Sequence, residues 1–188
     1  AYYYIDLHAG KTSEEVMPFV YYNVAAGEKI ARVSANMAMA ADMEVRASST
    51  ATTGAYSSAC QRGLPAILME RGGGGKFTDS EVQAYKQDVK NIMIRMGLLS
   101  GEEVHTVQQK NVTRAEYLEA ETDGLWYPVF SAGDTFAGGA VLGTVRDIWG
   151  NLLREYRADY PGIVLYQTVG LGVKTGDPLI AYGEYVDR

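Results

Sequence analysis

"GLPAILMERGGGGKFTD", residues 63 to 79, joins an apolar run to a carboxylate and then to four glycines. A phosphate-binding loop is the first possibility, because Lys76 follows the glycines and Thr78 lies close by. The pattern G-x-x-x-x-G-K-[ST] excludes it: Glu70 stands where the first glycine belongs, and Phe77 where the Mg²⁺-binding hydroxyl belongs. The segment instead reads as a buried strand, Ala66 to Met69, that delivers Glu70 to its end beside a permissive glycine backbone. A carboxylate placed in this way implies partners elsewhere in the chain.

Working outward, Tyr2 to Leu7 and Phe19 to Tyr22 carry the aromatic and branched residues of strands. Gly27 to Met43 predicts a helix from the spacing of Ile30, Val33, Met37 and Met43, and "MEVRASS" predicts a short strand after it. "TATTGAYSSACQRG" reads as a loop and a short helix ending at Gly63. The clearest helix runs through "FTDSEVQAYKQDVKNIMIRMGLL", capped by Thr78 or Ser80, with Val82, Tyr85, Val89, Ile92, Met93 and Met96 on its apolar face. Strands alternating with helices imply an α/β layer with a largely parallel sheet.

Beyond Ser100 the pattern changes to short β-rich runs separated by Gly, Asp and Pro turns. "VFSAGDTFAGGAVLGTV" and "TVGLGVKTGDPLIAYG" form a weak repeat, each with a Gly-Asp turn between apolar runs, as in a small symmetric β module. The expected organisation is therefore an α/β region over residues 1–100 and a β-rich module over 101–188, divided near residues 98 to 106.

A chain of 188 residues buries about 70% of its unfolded surface and needs no disulfides. Its single cysteine, Cys60, excludes an internal disulfide framework and fits a reducing, cytoplasmic setting. Net charge of -6 without a basic run argues against nucleic acid as a partner, and no apolar stretch has the length of a membrane span. "AYYYIDLHAG" opens directly on strand residues, which suggests an internal piece of a longer protein.

His8 sits just past the end of the first strand, as Glu70 does at the end of its own, and carboxyl ends of parallel strands share one ligand-binding edge. Asp6, two residues before His8, lies on the same side of the strand and is placed to accept the second imidazole N–H. An imidazole and a carboxylate so arranged suit metal-assisted hydrolysis, with a zinc on the imidazole and Glu70 moving the proton. Taken alone, the same residues also suit a structural histidine and a carboxylate paired with Arg71 or capping a turn. Arg62 is a candidate for gripping a substrate carboxylate or a solvated helix-end charge, and Tyr56 a candidate oxyanion donor or one of fourteen tyrosines used in packing. Glu14 and Glu15 read as a solvated turn, Cys60 as a small core residue, and His105 as structural or exposed.

"YYYIDLHAG", "GLPAILMERGGGG", "YPVFSAGDTFAGGAVLGTVRDIWGN" and "ADYPGIVLYQTVGLGVKTGDPLIAYG", in this order, resemble the succinylglutamate desuccinylase/aspartoacylase family of zinc-dependent amide hydrolases, a branch of the zinc carboxypeptidase fold. The resemblance implies a carboxypeptidase-like α/β/α layer with a parallel or mixed sheet. It also implies zinc as cofactor, His8 as the last zinc ligand, Glu70 as the catalytic base and a small N-acyl amino acid as substrate. The family's H-x-x-E motif and its Asp/Asn-Arg segment have no counterpart here, so the remaining ligands are expected upstream and the fragment alone is expected to be inactive. The β-rich half resembles the lipoyl/biotinyl carrier module, a barrel-sandwich of two hairpin repeats. Between Lys110 and Lys174 there is no lysine, so covalent carriage is not expected at "RDIWGN". Trp126, Tyr127, Phe130 and Trp149 are its candidate interface anchors. An edge strand left open by truncation predicts self-association into a homo-oligomer. The reading from another class is a non-catalytic binding or assembly protein that keeps the fold without a metal.

Overall fold

Strands and helices alternate through the first part of the chain in a computed structural model that describes residues 1–185. The order is β1 (Tyr4–His8), β2 (Glu14–Val16), β3 (Phe19–Asn23), α1 (Glu28–Ala38), β4 (Val45–Ser49), α2 (Ala55–Gln61), β5 (Ala66–Glu70), α3 (Asp79–Arg95) and β6 (Lys110–Val112). Strands alone follow among the described residues: β7 (Ala115–Glu119), β8 (Gly124–Pro128), β9 (Thr135–Phe136), β10 (Val141–Arg146) and β11 (Leu152–Arg157). The last are β12 (Gly162–Thr168), β13 (Gly172–Val173) and β14 (Pro178–Glu184). Among the described residues no helix is long and apolar enough to cross a membrane.

Contacts divide the chain into two units, the first made of Ala1–His8, Pro18–Arg71 and Phe77–Thr113. Its sheet has the order β1-β5-β3-β4-β6. β1 and β5 are parallel, with His8 opposite Glu70, whereas β3 and β5 are antiparallel. The sheet is therefore mixed: β3, β4 and β6 run together, against the direction of β1 and β5. Residues 66 to 69 of β5 are buried on both faces, as a strand between helical layers must be. Ala66 and Leu68 pack with Tyr56 and Cys60 of α2, while Ile67 and Met69 pack with Met37 and Ala38 of α1 and Ile92 of α3.

Local chemistry sets the helix limits. Thr78 accepts from the Glu81 amide while the Glu81 side chain accepts from the Thr78 amide, a capping box that starts α3 at Asp79. α1 stops at Ala38, short of the expected Met43. Residues Met39 to Met43 leave the helix through tight turns, and Ala40, Ala41 and Met43 still enter the core.

The second unit comprises Ala9–Met17, Gly72–Lys76 and Arg114–Arg188. It has two sheets, β11-β10-β8-β13 and β2-β12-β14-β7, and its strand pairs are antiparallel. One core draws from both, with Trp126 edge-on to Tyr156 and Tyr182 against Phe136 and Tyr160. Trp126 and Phe130 therefore serve this core, while Tyr127 and Trp149 are exposed.

The weak sequence repeat has a structural counterpart at its two Gly-Asp turns. The Asp134 carboxylate accepts from the Ser131 amide at 2.8 Å, and Asp177 from the Lys174 amide at 2.8 Å. Gly133 and Gly176, with φ of 92° and 88°, take the left-handed conformation each turn requires. Glu14 and Glu15 form β2 rather than a solvated turn. Glu15 Oε2 accepts from Ala132 N and Gln167 Nε2, both at 3.0 Å.

Candidate functional site

The strand register places the site residues before any side chain is considered. Because β1 and β5 are parallel and paired Asp6 to Leu68 and His8 to Glu70, Asp6, His8 and Glu70 share the face covered by α2. His8 Nε2 lies 3.2 Å from Asp6 Oδ1, and His8 Nδ1 lies 3.6 Å from Glu70 Oε1. The imidazole is nearly half exposed, at 46%, whereas Asp6 and Glu70 are 13% and 18% exposed. The ring is thus open to a ligand while both carboxylates are held against the protein.

An imidazole that donates Nε2–H to Asp6 presents its lone pair at Nδ1. That lone pair then faces a carboxylate oxygen, so the pair is favourable only with positive charge between them, either a proton or a metal ion. The donor types are those of a zinc site. Catalytic zinc takes three protein ligands, and among the described residues no group of three His, Cys, Asp or Glu stands close enough to hold one. Asp6 Oδ2 is buried with no hydrogen-bond partner among the described residues, so the carboxylate has accepting capacity left. Burial and the neighbouring Asp6 carboxylate push the Tyr4 hydroxyl above its usual range.

Behind this face α3 holds the same two strand ends by their backbone. The Tyr85 hydroxyl is placed to donate to the His8 carbonyl and, at 3.0 Å, to the Met69 carbonyl. Burial first, and then the Glu70 carboxylate, push the Tyr85 hydroxyl well above its ordinary value, so it remains a donor. Arg71, offered by the sequence as a partner for Glu70, pairs with Asp88 at 2.8 Å, and its guanidinium lies 5.4 Å from the Tyr85 ring centroid. Asp88 also accepts from the Asp42 amide at 2.7 Å. Burial drives the Asp88 carboxyl up, against the pull of Arg71. The only sequence signals for this support were a phenol on an apolar helix face, which needs a partner when buried, and an Asp within the same helix.

The glycines after Glu70 bond to backbone of the second unit. Gly74 N donates to Glu14 O at 2.8 Å, and Gly72 O accepts from Gly10 N at 3.0 Å. A Cβ on Gly73 would stand 2.4 Å from Glu14 O, so glycine there allows backbone to approach backbone within the second unit.

Tyr56 is 6% exposed, in the packing between α2 and β5. Arg62 caps the end of α2 and lines an apolar cavity of about 310 Å³ with Tyr4, Ala55, Ser58, Ala59 and Leu64. Cys60 is buried, its thiol 3.6 Å from the Ala66 carbonyl, and His105 is exposed, 2.9 Å from Glu103.

Neither a protein-family model nor a curated protein matches this chain. Solved structures do. The product-bound ectoine utilization protein EutE (DoeB) from Ruegeria pomeroyi matches with a TM-score of 0.85 at 23% identity, over 96% of this chain and 57% of its own. A succinylglutamate desuccinylase/aspartoacylase from Rhodobacter sphaeroides matches with a TM-score of 0.83 at 21% identity, over 100% and 60% of the two chains. For a succinylglutamate desuccinylase from a Silicibacter species the values are 0.79, 23%, 98% and 58%. At these identities the likeness is one of fold. The succinylglutamate desuccinylase/aspartoacylase resemblance thus holds, in structure, over nearly the whole chain, which spans less than two thirds of each of these proteins.

Proposed function

We propose that this chain, with the fold of the succinylglutamate desuccinylase/aspartoacylase structures, is the later part of a zinc-dependent N-acyl amino-acid deacylase of that family. The observation that carries the reading is the His8–Glu70 pair: two strand ends in register bring an exposed imidazole nitrogen within 3.6 Å of a mostly buried carboxylate. His8 Nδ1 and Glu70 have the chemistry to face a zinc ion, whose further ligands would come from outside these 188 residues. When bound, zinc supplies Lewis acidity toward the amide carbonyl and acidifies the attacking water. Glu70 takes the proton of that water and passes it to the leaving amine nitrogen. Asp6 accepts His8 Nε2–H and keeps the ring turned so that Nδ1 faces Glu70.

The same proposal reads the second unit as a carrier-like barrel-sandwich without covalent cofactor, supported by its duplicated Gly-Asp turn. A free, buried Cys60 supports a reducing, cytoplasmic compartment. β1 lies at the edge of its sheet, which supports a homo-oligomer or pairing with further strands.

The test is hydrolysis of N-acetyl and N-succinyl amino acids by the full-length protein that carries this chain. Glu70→Gln should lower kcat about 10²- to 10⁴-fold, with zinc still bound. A folded, zinc-free full-length protein without hydrolytic activity would favour the non-catalytic binding or assembly protein instead.

A further inference from the structure

The backbone carbonyls of His8 and Met69 close the site from behind, and one hydroxyl addresses both. Met69 immediately precedes Glu70, so Tyr85 touches the backbone at, or next to, each working residue. Arg71 N donates to the same His8 carbonyl at 3.3 Å, giving that oxygen a second donor from the other strand. The Arg71 side chain returns to α3 through Asp88, one turn beyond Tyr85. Three residues thus tie one helix to two strand ends.

We propose that Tyr85 is a positioning residue that fixes the ends of β1 and β5 so that His8 and Glu70 stay opposed, an inference that rests on reading this pair as the working site. Leu7 and Met69 lie one pair before His8 and Glu70 in the ladder, and beyond the last pair Arg71 N donates to His8 O at 3.3 Å and Gly10 N to Gly72 O at 3.0 Å. Strand ends fray unless held by further bonds. A hydroxyl bridging the two carbonyls holds their separation, and with it the Nδ1 to Oε1 distance that proton transfer or a shared cation requires. Packing alone would need only the ring, whereas the role proposed here belongs to the oxygen.

Tyr85→Phe separates the two, because it keeps the ring and removes the oxygen. In the 188-residue chain, the imidazole ¹⁵N shifts of His8 at one fixed alkaline pH report its tautomer. Wild type should show one sharp set of His8 shifts, and Tyr85→Phe a displaced or broadened set, with exchange of the Arg71 amide at least about tenfold faster. Val89→Ala, on the same helix and packed against the same core, should lower Tm while leaving both signals unchanged. In the full-length protein Tyr85→Phe should weaken zinc binding about 10- to 100-fold, the usual cost of losing an outer support. A folded Tyr85→Phe with wild-type His8 shifts and wild-type Arg71 exchange overturns the proposal. Altered His8 shifts in a protein whose full-length form neither binds zinc nor hydrolyses amides would sustain the positioning role and reject the deacylase reading.

Discussion

The strand ends of the first unit and the turns of the second both display carboxylates, yet they use them differently. Asp134 and Asp177 spend their oxygens on backbone amides three residues back, closing the turns that contain them. Asp6 and Glu70 face an imidazole instead, and Asp6 keeps one oxygen with no hydrogen bond among the described residues. Carboxylates used by their own backbone build architecture, whereas those turned toward one titratable ring are available for chemistry.

The sharpest way to break this contrast is Asp88→Ala, which strikes the support of the strand ends rather than the pair itself. Arg71 would remain largely buried without its partner and the Asp42 amide without its acceptor. A loss of about 3–5 kcal/mol is expected, read as a lower urea midpoint. Asp134→Ala and Asp177→Ala should each cost only about 1 kcal/mol, the worth of one turn bond. Their effects should add in the double variant, since each bond closes within its own turn. Neither should alter the His8 ¹⁵N signature, and an altered one would erase the distinction between the two kinds of carboxylate.

The smallest effect is in pH. The bond from Arg95, and then His105, hold the Glu103 carboxyl below its ordinary value of 4.5. A carboxylate depressed in the folded state contributes stability that is present above its unfolded value and lost as pH falls through the folded one. The urea midpoint should therefore decline below about pH 4.5, and Glu103→Gln should flatten that decline by no more than about 1 kcal/mol.

Much of this was legible in the sequence, for identifiable reasons. Residues 66 to 69 form a strand because an unbroken apolar run bounded by Gly63 and the glycines after Glu70 suits burial on both faces. The start of α3 was legible as a cap at Thr78 or Ser80 because an N-cap is a local device, and the structure uses Thr78, in a capping box with Glu81. The meeting of His8 with Glu70 followed from two strands read as parallel neighbours, and β1 and β5 are that pair. Strand direction across the whole sheet was not legible. The β3–β5 pair is antiparallel, and side-chain alternation is the same in either sense. The purpose of Gly73 was equally hidden, because the Glu14 carbonyl it accommodates carries no side-chain signal. Tyr85 and Asp88 read as one apolar-face residue and one helical charge. Their partners, the His8 carbonyl and Arg71, lie 77 and 17 residues away in sequence.

The central claim is that His8 binds the metal and Glu70 moves the proton, and the most direct measurement is zinc content by elemental analysis of the full-length protein and two variants. The account predicts about one zinc per chain in wild type, its retention in Glu70→Gln, and its loss after dialysis in His8→Ala. Full zinc occupancy in a folded His8→Ala would contradict it.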